Sequence, residues 1–246
     1  MLDPRLSIIE ERLSGIDRII VVSSGKGGVG KSIIASTLAL ILSRKGFEVG
    51  LLDLDFTSPT THIVLGVRNL QPIEDKGLIP PEVYGIKYMS LVFYLGDQIS
   101  PLRGRDLSNA FIEILTITRW NNLDFLIIDM PPGISDLMLD VLKCIKRANF
   151  LIVTTSSKMA FETVRKLLLL IRDLMLPVVG VIENMKLDDS EYIKREVEAL
   201  GENFLGEIYF DKNLENALGS VRDLLKTDFA KEIERIILKI IKNFKS

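Results

Sequence analysis

The densest chemistry in this 246-residue chain lies in Gly25-Lys26-Gly27-Gly28-Val29-Gly30-Lys31-Ser32, which fits GxxxxGK[ST] between the apolar run Ile19 to Val22 and a helix-period run. Glycines so spaced let successive backbone N–H groups converge on phosphate oxygens, and the following helix turns its positive N-terminal end toward them. Lys31 adds a full charge there, and Ser32 supplies a hydroxyl for Mg²⁺. In Leu51-Leu52-Asp53-Leu54-Asp55, alternation places two carboxylates on one side of a strand end. A carboxylate near a γ-phosphate orients attacking water or helps to hold Mg²⁺, and Asp55 is the residue expected at the water. Asp53 is either a second nucleotide-side group or a solvated strand end. The run Leu126-Ile127-Ile128-Asp129 is a buried strand delivering a carboxylate toward the Mg²⁺ site. Pro131, Pro132 and Gly133 then form a stiff turn whose glycine can bring its backbone N–H close to a γ-phosphate, and Asp136 reads as the cap of the next helix.

Positioning these groups requires strands that end beside one another. Strand-like runs occur at Arg18 to Val22, Glu48 to Asp53, Ile86 to Phe93, Phe125 to Asp129, Phe150 to Thr154, Pro177 to Ile182 and Asn203 to Ile208. Most are separated by helical patterns. Continuous Val/Ile/Leu strands alternating with amphipathic helices describe an α/β fold, a mostly parallel sheet with helices on both faces. Ligands then bind at the carboxyl ends of the strands, where the glycine loop, Asp55, Asp129 and Asn184 all fall. Residues 1–246 read as one domain. It opens with a short helix over 4–13, Asp3 serving as its cap, and closes with an amphipathic helix over 228–244. The stretch from Asn69 to Tyr84 reads as a loop-rich excursion.

Composition limits the alternatives. A net charge of −2 gives no global drive toward nucleic acid. The longest apolar stretch, Leu167 to Ile182, is interrupted by Arg172, Asp173 and Pro177, so it is not read as a membrane span. Asp3, Arg5, Glu10 and Glu11 break up any secretory leader, and a cytoplasmic location is expected. One cysteine, Cys144, and one histidine, His62, exclude an intrachain disulfide or a cysteine-based zinc site, so a cysteine-ligated cluster would need ligands from another chain. Cys144 shares a helical pattern with Val141 and Ile145 and reads as a small buried core residue. His62 either binds metal or caps local backbone, Arg103 either contacts a partner or is a plain surface group, and Trp120 reads as packing. From Phe229 to Phe244 apolar residues recur at three and four; such a helix either docks on the sheet, the ordinary fate, or binds a membrane.

Through GKGGVGKS, LLDLDF, PLRG, LDFLIIDMPPG, VVGVIENM and FLGEIYFD the chain resembles the Mrp/NBP35 and MinD branch of deviant Walker A ATPases, whose loop carries an extra lysine like Lys26. The resemblance implies a Rossmann-like P-loop fold, ATP/ADP and Mg²⁺ as ligands, and a nucleotide-dependent homodimer. By that resemblance Lys26 reaches the partner subunit's phosphates, Lys31 and Ser32 serve their own chain, and Asp55 positions water. Asn184 would read adenine, and Asp211 would lie near the base, although the family often has proline where this chain has Tyr209. Iron–sulfur carriers of the branch continue after the asparagine into CxxC, whereas this chain reads Met185-Lys186-Leu187-Asp188-Asp189-Ser190. That departure, with the phrase PLRGRDLSNAFIEILTITRW, is similar to the archaeal ATPase-type HypB and implies nickel delivery for hydrogenase maturation with a HypA-like metallochaperone. The other expectations are an iron–sulfur carrier or assembly ATPase and a MinD/ParA-type positioning ATPase.

Overall fold

Runs of Val, Ile and Leu without polar alternation can be buried only between two helical layers. In a computed structural model, which describes residues 3–95 and 103–244, they occupy that place. The strands are β1 (Ile16–Ser24), β2 (Val49–Asp53), β3 (Ile73–Glu74), β4 (Leu78–Ile79), β5 (Glu82–Val83), β6 (Ile86–Ser90), β7 (Leu123–Asp129), β8 (Ala148–Thr155), β9 (Val178–Lys186) and β10 (Phe204–Tyr209). Eight of them form one sheet in the order β10-β9-β8-β1-β7-β2-β6-β5, parallel except for β5 against β6. The strands β3 and β4 form a separate antiparallel ribbon within the excursion after Asn69. The helices are α1 (Arg5–Leu13), α2 (Lys31–Arg44), α3 (Thr61–Leu65), α4 (Val92–Leu95), α5 (Arg105–Ile117), α6 (Asp136–Cys144), α7 (Lys158–Asp173), α8 (Tyr192–Ala199), α9 (Leu214–Ala217), α10 (Val221–Leu224) and α11 (Asp228–Asn243).

Strand β1 lies between β8 and β7, so successive units wind away from it in both directions and leave a crevice at its carboxyl end. Register aligns the chemistry there. Val22 and Asp53 both pair with Asp129, Ser24 pairs with Val153, and Thr155 pairs with Asn184. The side chains of Ile20, Val21, Val22, Leu51, Leu126, Ile127, Ile128, Ile152 and Val181 are fully buried in the sheet.

Several boundaries differ from the sequence reading. Helix α1 begins at Arg5 with Pro4 as its cap, while the Asp3 carboxylate accepts from the Arg5 amide at 3.0 Å. The run from Ile86 to Phe93 divides, because β6 ends at Ser90 and α4 begins at Val92. Ser135 caps α6 in place of Asp136, its hydroxyl accepting from the Met138 amide at 3.3 Å. Cys144 is half-buried at the end of α6, just before β8 starts and therefore away from the strand ends that carry the site. Trp120 is fully buried. Helix α11 docks through Phe229, Ile233, Ile236, Ile237 and Ile240 against β10 and α2, and the Arg18 guanidinium sits 5.1 Å from the Phe244 ring centre. Arg103 is exposed just before α5, and Pro101 and Leu102 of the PLRG phrase lie outside the described residues. Among the described residues no helix is long and apolar enough to cross a membrane.

Candidate functional site

After Ser24 the chain cannot continue as a strand. Gly28 and Gly30 adopt φ of 77° and 87°, which side-chain-bearing residues rarely take, and the turn closes onto Lys31 at the start of α2. Two close approaches fix the loop. A Cβ on Gly25 would stand 2.8 Å from the Thr163 and Val164 backbone of α7, and one on Gly30 would stand 2.3 Å from the Asn184 amide nitrogen. That amide donates to the Val29 carbonyl at 2.8 Å, so Asn184, 2% exposed, carries the loop from the neighbouring side of the sheet.

The loop forms one wall of a cleft of about 560 Å³ lined by Gly27, Gly28, Gly30, Lys31, Ser32, Asp55, Asn184 and Asp211. Its other walls include Thr57, Ser58, Thr60, Met185, Tyr209 and Phe210, none of which the sequence alone marks as a site residue. Met185 has a left-handed backbone (φ 57°), and the pairing of β9 with β10 shifts register at this point. Asn184 and Met185 therefore both line the cleft, while Glu183 and Lys186 stand outside it, 4.0 Å apart, with Glu207 and the Tyr209 ring against the Lys186 ammonium.

The two carboxylates of the β2 end have different surroundings. Asp55 lines the cleft, its Oδ1 accepting from the Thr57 hydroxyl at 2.9 Å and the Ser58 amide at 3.1 Å. Asp53 is buried behind it, neither at the nucleotide nor solvated. It accepts from the Asp55 amide at 3.0 Å and the Thr61 hydroxyl at 2.6 Å, and the Thr61 oxygen lies 2.8 Å from the Tyr88 hydroxyl. Both ends of the segment that carries Asp55 are thus tied to one side chain. The Asp129 carboxylate is fully buried, and neither oxygen has a hydrogen-bond partner among the described residues. Burial, with the charge of Asp53, pushes its pKa up to about 8 against the pull of the Ser32 hydroxyl and the Lys31 ammonium. An orphaned carboxylate beside a hydroxyl is a hard oxygen-donor set, so these residues fit Mg²⁺.

Three assignments change or narrow. Gly133 (φ 81°) donates its N–H to the Ser24 carbonyl at 2.9 Å, so it cannot reach a phosphate unless that bond opens. One N–H of the Asn184 amide is committed to Val29, which leaves its oxygen and its second N–H for a ligand in the cleft. Lys26 is exposed and is not among the residues lining its own chain's cleft. His62 sits on α3 outside the cleft, and among the described residues no group of three or more His, Cys, Asp or Glu could hold a metal ion.

The family model described as ParA, NUBPL iron-transfer P-loop NTPase, matches residues 15–245. The chain belongs to this family. As an α/β P-loop NTPase it resembles an iron–sulfur cluster carrier protein from Aquifex aeolicus, 40% identical over 179 residues, which is 71% of this chain and 49% of that protein. A protein of the same description from Methanocaldococcus jannaschii is 35% identical over 252 residues, covering 95% of this chain and 87% of the relative. The chain spans about half the length of several curated relatives that it matches. Among solved structures, the nucleotide-binding protein from Archaeoglobus fulgidus in complex with ADP superposes with a TM-score of 0.78 at 29% identity, covering 92% of this chain and 96% of that one. These findings give no support to the expectation of nickel delivery with a HypA-like partner or to the resemblance to ATPase-type HypB: both relatives carry iron–sulfur descriptions, which favours the iron–sulfur expectation.

Proposed function

We propose that the chain is a Mg²⁺-dependent ATPase of iron–sulfur cluster carriage or assembly, working as a nucleotide-dependent homodimer in the cytoplasm. The observation that carries this reading is an intact P-loop cleft in a chain of the iron-transfer NTPase family. Backbone amides of Gly27 to Gly30 and the Lys31 ammonium hold the phosphates, Ser32 and Asp129 hold the metal, and Asp55 turns a water toward the terminal phosphorus. Bound Mg²⁺ supplies neutralisation of phosphate charge. Asn184 and Asp211 face the base. Lys26, exposed outside its own cleft, reaches the partner subunit's nucleotide, where an added cation stabilises charge that builds up during transfer.

With Cys144 as its sole cysteine, set away from the cleft end of the sheet, the chain does not itself supply a cysteine pair for a cluster. The thiolates belong to a second protein, and the nucleotide state governs when the two engage. Anaerobic incubation with iron and sulfide is expected to leave this chain colourless. ATP, compared with ADP, should change the rate at which a cluster moves from a loaded donor to an apo-ferredoxin in its presence. A transfer rate indifferent to the chain and to nucleotide would overturn the reading.

A further inference from the structure

A second cavity, of about 700 Å³, stands beside the nucleotide cleft and shares none of its charged groups; Leu218 lines both. Helix α3 lies between them, with Val64 turned to the cleft and Ile63 to the cavity. The wall nearest the sheet is Phe93, whose carbonyl is held by the Gln71 amide at 3.0 Å and whose ring meets Tyr88 edge to face, 5.3 Å between centres. From Tyr88 hydrogen bonds run without a break to the catalytic segment: Tyr88 to Thr61, Thr61 to Asp53, Asp53 to the Asp55 amide. The cavity wall is thus one aromatic contact and three hydrogen bonds from the residue expected to position water.

Its chemistry selects an occupant. Leu70, Val92, Phe93 and Leu218 give apolar walls. Arg68 lies at the lining, exposed and without an ion pair among the described residues, so the cation there is available to a carboxylate from outside. At the rim Ile63 is 53% exposed, extending the apolar contact beyond what a small acid within the cavity would cover. We propose that the cavity docks a partner polypeptide, an apolar side chain seated against Phe93 and Leu218 and an adjacent carboxylate paired with Arg68, and that docking acts on the Asp55 segment through Tyr88 and Thr61. The choice of a polypeptide rests on the proposed carrier function, in which the ATPase must engage a second protein. Because coupling between two sites is reciprocal, a segment bound there and the nucleotide each change the other's affinity by the same factor.

The test uses the full chain and a capped peptide, acetyl-Leu-Phe-Asp-Glu-amide, with acetyl-Leu-Phe-Asn-Gln-amide and N-acetylphenylalanine as comparisons. Binding is read by methyl NMR at Ile63, Val67 and Leu218, and coupling by the affinity for ADP and the rate of ATP turnover. The acidic peptide is expected to shift those methyls, to lose at least about fivefold in affinity in Arg68→Glu, and to change ADP affinity about fivefold or more. Arg68→Glu without peptide should bind ADP as before. Tyr88→Phe, which keeps the ring and drops the hydroxyl, should still bind the peptide but lose the coupling; Thr61→Ser, which keeps its hydroxyl, should retain it. No methyl shift at millimolar peptide, or equal shifts from the amide peptide, would overturn the site. Equal binding of N-acetylphenylalanine would overturn the polypeptide assignment, and a wild-type response in Tyr88→Phe would overturn the coupling. None of these readouts involves a metal cluster, so failure here leaves the cluster-transfer result standing, and failure of cluster transfer leaves this one standing.

Discussion

At the scale of single residues, the site separates a carboxylate that lines the cleft, Asp55, from two that do not, Asp53 and Asp129. Asp55→Ala is expected to bind ATP and to lose at least about tenfold in turnover, roughly 1.4 kcal/mol of barrier; wild-type turnover in that variant, measured by phosphate release, would remove Asp55 from the mechanism. The buried pair makes a different prediction. Burial raises both pKa values: that of Asp53, which accepts hydrogen bonds from Thr61 and Asp55, only to about 6, and that of Asp129, which accepts none and feels the charge of Asp53, to about 8. An acid whose folded pKa lies above its unfolded value binds more protons in the folded state, so its contribution to stability is full below about pH 4 and is lost as pH rises toward 8. Thermal midpoints of the nucleotide-free protein should therefore fall between about pH 5.5 and about pH 8.5. Asp129→Asn should flatten that slope, and Mg·ADP should do so by supplying a cation beside the carboxylate. Residue types at the phosphate loop were legible because their spacing is local. Thr61 and Tyr88 were not, since Thr61 meets Asp53 from 8 residues away, Tyr88 meets Thr61 from 27, and no short pattern joins them.

At the scale of elements, the loop depends on how closely β9 approaches α2. Gly30→Ala would combine φ of 87° with a Cβ 2.3 Å from the Asn184 amide, displacing the group that supports the Val29 carbonyl. ADP binding, followed calorimetrically, should fall by far more than the ~1 kcal/mol typical of a strained left-handed residue alone. For the last helix, Ile237→Ala removes a fully buried side chain between α11 and the sheet and should cost about 2–5 kcal/mol in denaturant unfolding. An α11 free of the sheet would show almost no change. The amphipathic period announced this helix and its buried stripe, and the Val/Ile/Leu runs announced the seven strands they became. The ends were harder to read. Ser135 takes the cap from Asp136, and β6 yields to α4 after Ser90, because each depends on a local hydrogen bond or on burial that neighbouring sequence does not encode. The short β3–β4 ribbon has only two residues a strand, too few for any periodicity.

At the scale of the whole molecule, Lys26 is exposed and does not line its own cleft, and on the proposed function it would serve a second nucleotide. Lys26→Ala should depress turnover and ATP-dependent association together, while Asp55→Ala held in ATP should scatter light as a dimer; a strict monomer at high protein concentration would sink this arrangement. The register that brings β1, β7 and β9 level at one end of the sheet has a further consequence through Asn184. Its nitrogen braces the phosphate loop while the residue lines the cleft, so on the proposed function one amide would serve both halves of the ligand. On that reading an adenine amino group would donate to the amide oxygen with the brace intact. A guanine carbonyl needs a donor, and the amide's second N–H is on the nitrogen already held by Val29, so a turn of the amide toward that carbonyl loosens the brace. The wrong base is then penalised at the phosphates as well as at the ring, and GTP should lose affinity by more than the ~1 kcal/mol of one hydrogen bond.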